Sequence, residues 1–79
     1  MDFKKNIVNK LKKKKAIICV VGLGYVGLPL AILSSKKFKC FGLDDNLEKL
    51  KQLKKLKKKN FLITRDYDAI KKSDIIIYA

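Results

Sequence analysis

The sequence predicts an α/β fold on a small parallel sheet, and three observations point to it. Short apolar runs recur at residues 17–21, 39–43, 61–64 and 75–78, with helix-like stretches between them. The first run, Ala16 to Val21, is apolar throughout, as suits a parallel strand covered on both faces rather than one with a wet side. A glycine-rich turn, Gly22-Leu23-Gly24-Tyr25-Val26-Gly27, follows that run directly. Strands that alternate with helices pair in parallel through right-handed crossovers. The predicted sheet has three to four parallel strands in the order 3-2-1-4, with flanking helices.

Each element has its own signal. Residues 1–15 read as a basic, weakly amphipathic N-terminal helix with Phe3, Ile7, Val8 and Leu11 on one side, set apart from a domain over residues 16–79. Ile17 to Val21 is the first strand. The first helix is read from Tyr25 to about Lys36, with Pro29 near its start, where a missing amide does least harm. Lys39 to Leu43 is the second strand. Asn46 is a good N-cap for a second helix, and Lys49 takes the third helical position in place of a capping-box glutamate. In that helix Leu47, Leu50, Leu53 and Leu56 recur every third residue; the stripe is too short for a coiled coil and reads as core packing. Phe61 to Thr64 is a third strand, Asp66 caps a short helix ending near Lys72, and Ile75 to Tyr78 is a fourth strand.

The glycine turn sits in the context of a dinucleotide-binding fingerprint: strand, Gly-x-Gly-x-x-Gly, helix, strand, acid. Gly22 allows the tight turn out of the strand, Gly24 lets backbone approach a pyrophosphate, and Gly27 lets helix and strand pack closely. Free amides and the positive dipole end of the helix then face the anion. Asp44, about 20 residues on, is placed to accept hydrogen bonds from the adenosine ribose, which favours NAD over NADP because a 2′-phosphate would meet a like charge. Asp45 takes that role if the strand end is shifted by one. The expected cofactor-binding residues are therefore Gly22, Leu23, Gly24, Tyr25, Val26, Gly27, Asp44 and Asp45, in a partial Rossmann fold.

The run Gly22-Leu23-Gly24-Tyr25-Val26-Gly27-Leu28-Pro29-Leu30-Ala31 resembles the nucleotide-sugar dehydrogenase family, whose members oxidise UDP-glucose, UDP-N-acetylglucosamine or UDP-N-acetylmannosamine. Tyr25, Val26, Leu28 and Pro29 go beyond the generic fingerprint. Cys40-Phe41-Gly42-Leu43-Asp44 is similar to the family's second strand, and Thr64-Arg65-Asp66-Tyr67-Asp68-Ala69-Ile70 followed by Ser73-Asp74-Ile75-Ile76-Ile77 to its Thr-x-Asp segment, third helix and fourth strand. The resemblance covers residues 16 to 79 and implies the start of an NAD-binding domain, in a parent that oxidises the C6 alcohol of a UDP-sugar to a carboxylate. The chain departs from the family in two places. The segment from Leu47 to Lys59 reaches the third strand sooner than usual, and the chain stops at Ala79, where the family continues with Val-Pro-Thr-Pro. The family's catalytic cysteine, lysine and asparagine lie beyond that point. No catalytic residue is assigned, and the chain reads as a piece of a longer enzyme, inactive alone.

Composition narrows the alternatives. The chain has 20 basic and 7 acidic residues, a net charge of +13 and no histidine. A metal site or a cysteine–histidine nucleophile is unsupported. Cys19 and Cys40 fall inside strands and read as small core residues in a reducing, cytoplasmic compartment. No apolar stretch is long enough for a membrane span, and no secretory signal follows the basic N-terminus. Nearly all basic residues are lysine, with Arg65 the single arginine; base reading favours arginine, so nucleic-acid attraction is expected to be nonspecific and salt-sensitive. Two other classes compete with the leading one: a different Rossmann dehydrogenase, and a small basic anion- or RNA-binding protein. Neither the particular sugar nor the oligomeric state is legible.

Overall fold

The fold comes from a computed structural model, which describes residues 9, 15–56 and 58–79. The helix read over residues 1–15 lies, but for residues 9 and 15, outside them. Strands β1 (Ile17–Val21), β2 (Lys39–Leu43), β3 (Phe61–Thr64) and β4 (Ile75–Tyr78) form one sheet in the order β3-β2-β1-β4. Every neighbouring pair is parallel. Helices α1 (Gly27–Ser35), α2 (Leu47–Leu53) and α3 (Asp68–Lys71) make the crossovers, and a 3-10 turn at Lys54–Leu56 prolongs α2.

The register explains the continuous apolar runs. Ile18 lies opposite Cys40 and Ile75, and Cys40 opposite Phe61. One sheet face therefore presents Ile18, Val20, Cys40 and Phe61 to Ala31 of α1 and Leu50 of α2. The other presents Cys19 and Leu43 to Ala69 of α3. Both faces of β1 are covered, so none of its positions tolerates a polar residue cheaply. The two cysteines are free and buried on opposite faces, which rules out a bridge between them although their strands are neighbours.

Helix α1 turns Gly27, Ala31 and Ser35 inward. These small residues recur every fourth position, so they share one face and let the helix lie close on the sheet. The helix begins at Gly27, two residues later than Tyr25. Tyr25 and Val26 instead form the turn after the glycines, with Tyr25 fully exposed.

Helix α2 starts as predicted. Asn46 Oδ1 accepts the Lys49 N–H at 3.1 Å, satisfying one amide that the first turn leaves free. Its leucine stripe is only half correct. Leu50 is buried and Leu53 packs beside it, whereas Leu47 and Leu56 are 49% and 44% exposed. At about 100° per residue a three-residue step drifts by about 60°, so four such leucines cannot share one face. The short connection after α2 does not prevent β3 from pairing in register with β2. Asn60, at φ 65°, makes the turn into β3; asparagine is among the few non-glycine residues that tolerate that region. On the outer strand β4, Ile76 and Tyr78 are exposed.

Candidate functional site

Sheet topology brings the glycine turn and the acidic pair to one place. The turn leaves β1 and the acids leave β2, and those strands are adjacent. At the boundary Gly22 N–H donates to Leu43 O at 2.8 Å. Gly22 adopts φ +96°, and a Cβ there would also stand 2.9 Å from the Ala79 carbonyl oxygen. A side chain is thus disfavoured twice, by conformation and by space. At Gly27 a Cβ would overlap the Gly22 carbonyl oxygen. The first turn of α1 can lie against the end of β1 only because that atom is missing. Gly42, in the middle of β2, plays a supporting part: a Cβ there would press on the rings and methyls of Phe61 and Leu23.

Gly24 is different. A Cβ at this position would meet no atom of the described chain within 4 Å. The space outside it is open, and α1 begins just beyond. That helix has no side-chain cap and no acid in its first turn. Leu28 N–H reaches Gly24 O at 3.1 Å, and Leu30 N–H reaches Val26 O at 3.4 Å. Pro29 between them has no N–H to place. The contrast with α2, which Asn46 closes, is direct: the start of α1 is left open to solvent.

Asp44 lies across from that opening. Its Oδ2 accepts the Leu23 N–H at 2.9 Å, and its Oδ1 accepts the Asn46 N–H at 3.0 Å. Lys49 Nζ stands 3.5 Å from Oδ2. The side chain is 14% exposed, so the carboxylate is nearly enclosed by donors yet reachable. The Asn46 and Leu23 amides chiefly hold its pKa below the ordinary aspartate value, against the opposing effect of burial and with a smaller contribution from Lys49. It stays ionised, an acceptor-only group with roughly four lone-pair positions, of which three are occupied. Asp45 faces away. Its carboxylate accepts the Tyr67 hydroxyl at 2.8 Å.

Of the predicted site residues, the structure therefore places Gly22, Leu23, Gly24, Tyr25, Val26 and Gly27 in one turn with the Asp44 carboxylate bonded to it. Asp45 stays at the rim. Lys49 and Tyr67 were not singled out from sequence. The only hint of Lys49 was a lysine in the first turn of the helix that follows the acid. Beside the turn, Leu23, Leu28 and Leu53 floor a cleft of about 530 Å³ rimmed by Tyr25, Lys49 and Gln52. No nucleophile opens onto the site from the sheet: burial raises the Cys19 thiol pKa and pushes that of Cys40 up to about 11. Among the described residues no helix is long and apolar enough to cross a membrane.

Comparison with known proteins agrees with this geometry. Residues 16–61 match the model of the UDP-glucose/GDP-mannose dehydrogenase family, NAD binding domain. The chain is 42% identical over 74 residues to Protein CapL of Staphylococcus aureus, an alignment covering 78% of this chain and 18% of that protein. It is 48% identical over 40 residues to the UDP-N-acetyl-D-mannosamine dehydrogenase of Methanocaldococcus jannaschii, covering 49% of this chain and 9% of that protein. The chain thus spans less than a fifth of the length of these curated relatives. No solved structure matches it significantly. The match takes in more than half of the chain, which belongs to the UDP-glucose/GDP-mannose dehydrogenase family through its NAD-binding domain.

Proposed function

We propose that these residues form the adenosine-diphosphate side of the cofactor site in an NAD-dependent nucleotide-sugar 6-dehydrogenase. The observation that carries the reading is the bond between turn and acid, Leu23 N–H to Asp44 Oδ2 at 2.9 Å. It fixes an ionised carboxylate beside an uncapped helix start. The pyrophosphate would lie over Gly24, where no Cβ stands in its way, against the amides that open α1. The remaining lone-pair position of Asp44 would accept from a ribose hydroxyl. Lys49, the longest of its three contacts, is the one free to turn toward the ribose as well. A 2′-phosphate would meet the Asp44 charge, so NAD is favoured over NADP.

When bound, NAD supplies the hydride acceptor for oxidising an alcohol. The parent reaction is the oxidation of a UDP-sugar C6 alcohol to a carboxylate, in the cytoplasm. By themselves the 79 residues are expected to bind NAD without oxidising the sugar, since both thiols are buried within the sheet. Residues 16–79 act as the cofactor-binding unit and residues 1–15 as a separate basic element.

Calorimetric titration of the full chain with NAD, with NADP as comparator, tests the reading. Saturable NAD binding, weaker for NADP and reduced about tenfold or more in Asp44→Ala, is the expected result. Equal affinity for both nucleotides, or an Asp44→Ala variant that binds like wild type, would mean that Asp44 does not hold the ribose. NADH formation from a UDP-sugar by the chain alone would contradict the assignment of chemistry to other residues.

A further inference from the structure

Asp44 and Asp45 are neighbours in sequence and carry the same group, yet only one faces the glycine turn. The register of β1, β2 and β3 puts Asp44 first beyond buried Leu43, but it leaves the next carboxylate, Asp45, exposed and one residue away. A contact from just beyond β3 holds Asp45 elsewhere. Tyr67 stands at the start of α3, 56% exposed, and its ring belongs to neither core cluster. Its hydroxyl donates to Asp45, with the two carboxylate oxygens at 2.8 and 3.0 Å. One hydroxyl proton serves one of them at a time.

The turn that carries Tyr67 is itself braced. Asp66 N–H donates to Thr64 Oγ1 at 3.0 Å, and Asp68 N–H to Asp66 Oδ1 at 2.9 Å. Asp44 N–H meets Thr64 O at 3.2 Å, tying the two strand ends together beneath. The braced turn carries the Tyr67 hydroxyl to Asp45, 22 residues away in sequence. An unengaged Asp45 would be a second acceptor for the amides that Asp44 holds.

We propose that Tyr67 is a positioning residue of the cofactor site: by engaging Asp45 it prevents that carboxylate from competing with Asp44 for the Leu23 and Asn46 amides. The role deepens the NAD reading for its functional consequence, but the competition itself belongs to the free chain.

Amide hydrogen exchange on the full chain tests it without any nucleotide. In Tyr67→Phe, Leu23 and Asn46 are expected to exchange about three- to tenfold faster. Cys40, whose N–H bonds Asn60 O at the other end of the sheet at 2.8 Å, should be unaffected. Asp45→Ala removes the competitor, so this variant should exchange like wild type, and adding Tyr67→Phe to it should change nothing. The NAD dissociation constant is expected to rise in Tyr67→Phe by the same factor and to return in the double variant. The proposal is overturned by unchanged exchange at Leu23 and Asn46 in Tyr67→Phe, by equal acceleration at Cys40, or by an Asp45→Ala variant as fast as Tyr67→Phe, which would make the pair a simple strut. A wild-type chain that shows the exchange pattern but binds no NAD would sink the cofactor reading and leave the positioning role standing. A chain that binds NAD but lacks the pattern would do the reverse.

Discussion

The two ends of the sheet carry opposite kinds of polarity. At the end where strands run out into helices, a few charged groups are held in place. Asp44 receives three donors, Asp45 takes the Tyr67 hydroxyl, and Gly22 and Gly27 have no space for a side chain. At the end where helices run back into strands one carboxylate is held, Asp74 accepting the Ile17 N–H at 2.9 Å, but the lysines around it are not. Lys36, Lys37, Lys58, Lys59, Lys71 and Lys72 all lie there, all exposed, and none forms an ion pair with another described residue. Lysines at helix ends and acids such as Glu48 and Asp68 in first turns both complement helix dipoles. Part of the separation therefore follows from the α/β topology alone. What distinguishes the Asp44 end from a charged surface is a held carboxylate beside open backbone at Gly24, not the amount of charge.

The largest effect is expected from removing a space that the fold itself needs. Gly27→Ala places a methyl on the Gly22 carbonyl oxygen, which α1 relieves only by lifting off β1. A cost of about 3 kcal/mol or more follows from overpacking of this kind. In a domain this small that is a large share of total stability. Circular dichroism should show a lower melting midpoint or loss of a cooperative transition. A variant that melts like wild type would mean the turn is far looser than its contacts imply.

Next comes the buried end of the Asp44 network. Asp44→Asn keeps the shape but removes the charge, and is expected to cost about 1–2 kcal/mol at pH 7. The folded pKa of Asp44 lies below its unfolded value, so its stabilising contribution is complete above about pH 4 and is lost as pH falls through the folded pKa. The gap between wild type and variant, followed by urea unfolding from pH 7 downward, should therefore close in acid. A gap that persists there would assign the effect to shape rather than charge.

Much of this was legible in the sequence, and what was missed has a physical pattern. All four strands were read to the residue because each is a short, largely apolar run between polar turns, although β1 is covered on both faces and β4 exposes Ile76 and Tyr78. The start of α1 was misplaced by two residues because Tyr25 and Val26 satisfy a helical pattern while serving a turn. The leucines of α2 looked like a stripe because three-residue spacing is close to a helical turn, and only the drift separates Leu50 and Leu53 from Leu47 and Leu56. The turn and Asp44 were found because their spacing is local. Tyr67 was not, because its meeting with Asp45 depends on the β2–β3 register, which no local pattern encodes.

Gly24 sharpens the comparison from inside the site. Its φ is not in the left-handed region, and a Cβ there meets nothing of the chain. Gly24→Ala should therefore leave the melting midpoint within about 0.5 kcal/mol of wild type, or raise it slightly by restricting the unfolded chain. NAD affinity should nevertheless fall about tenfold, since the methyl would occupy the approach of the pyrophosphate. Affinity unchanged in this variant would place the nucleotide elsewhere on the chain.

The smallest effect is expected at the lysine-rich end. Exchanging Lys58 and Lys59 for glutamine should shift stability by no more than about 0.5 kcal/mol, because exposed charges without partners contribute little. NAD affinity at moderate salt should not change, the two lysines being at the opposite end of the sheet from Asp44. One property should respond. With a net charge of +13 the chain attracts polyanions, and binding to a polynucleotide should weaken steeply with salt and show no sequence preference. Removing two lysines should then lower the slope of log affinity against log salt by up to about 2 for a duplex, if both lie on phosphates. Binding that survives high salt, or that vanishes entirely with these two lysines, would mean that this end too holds a built site, and the contrast between the two ends would fail.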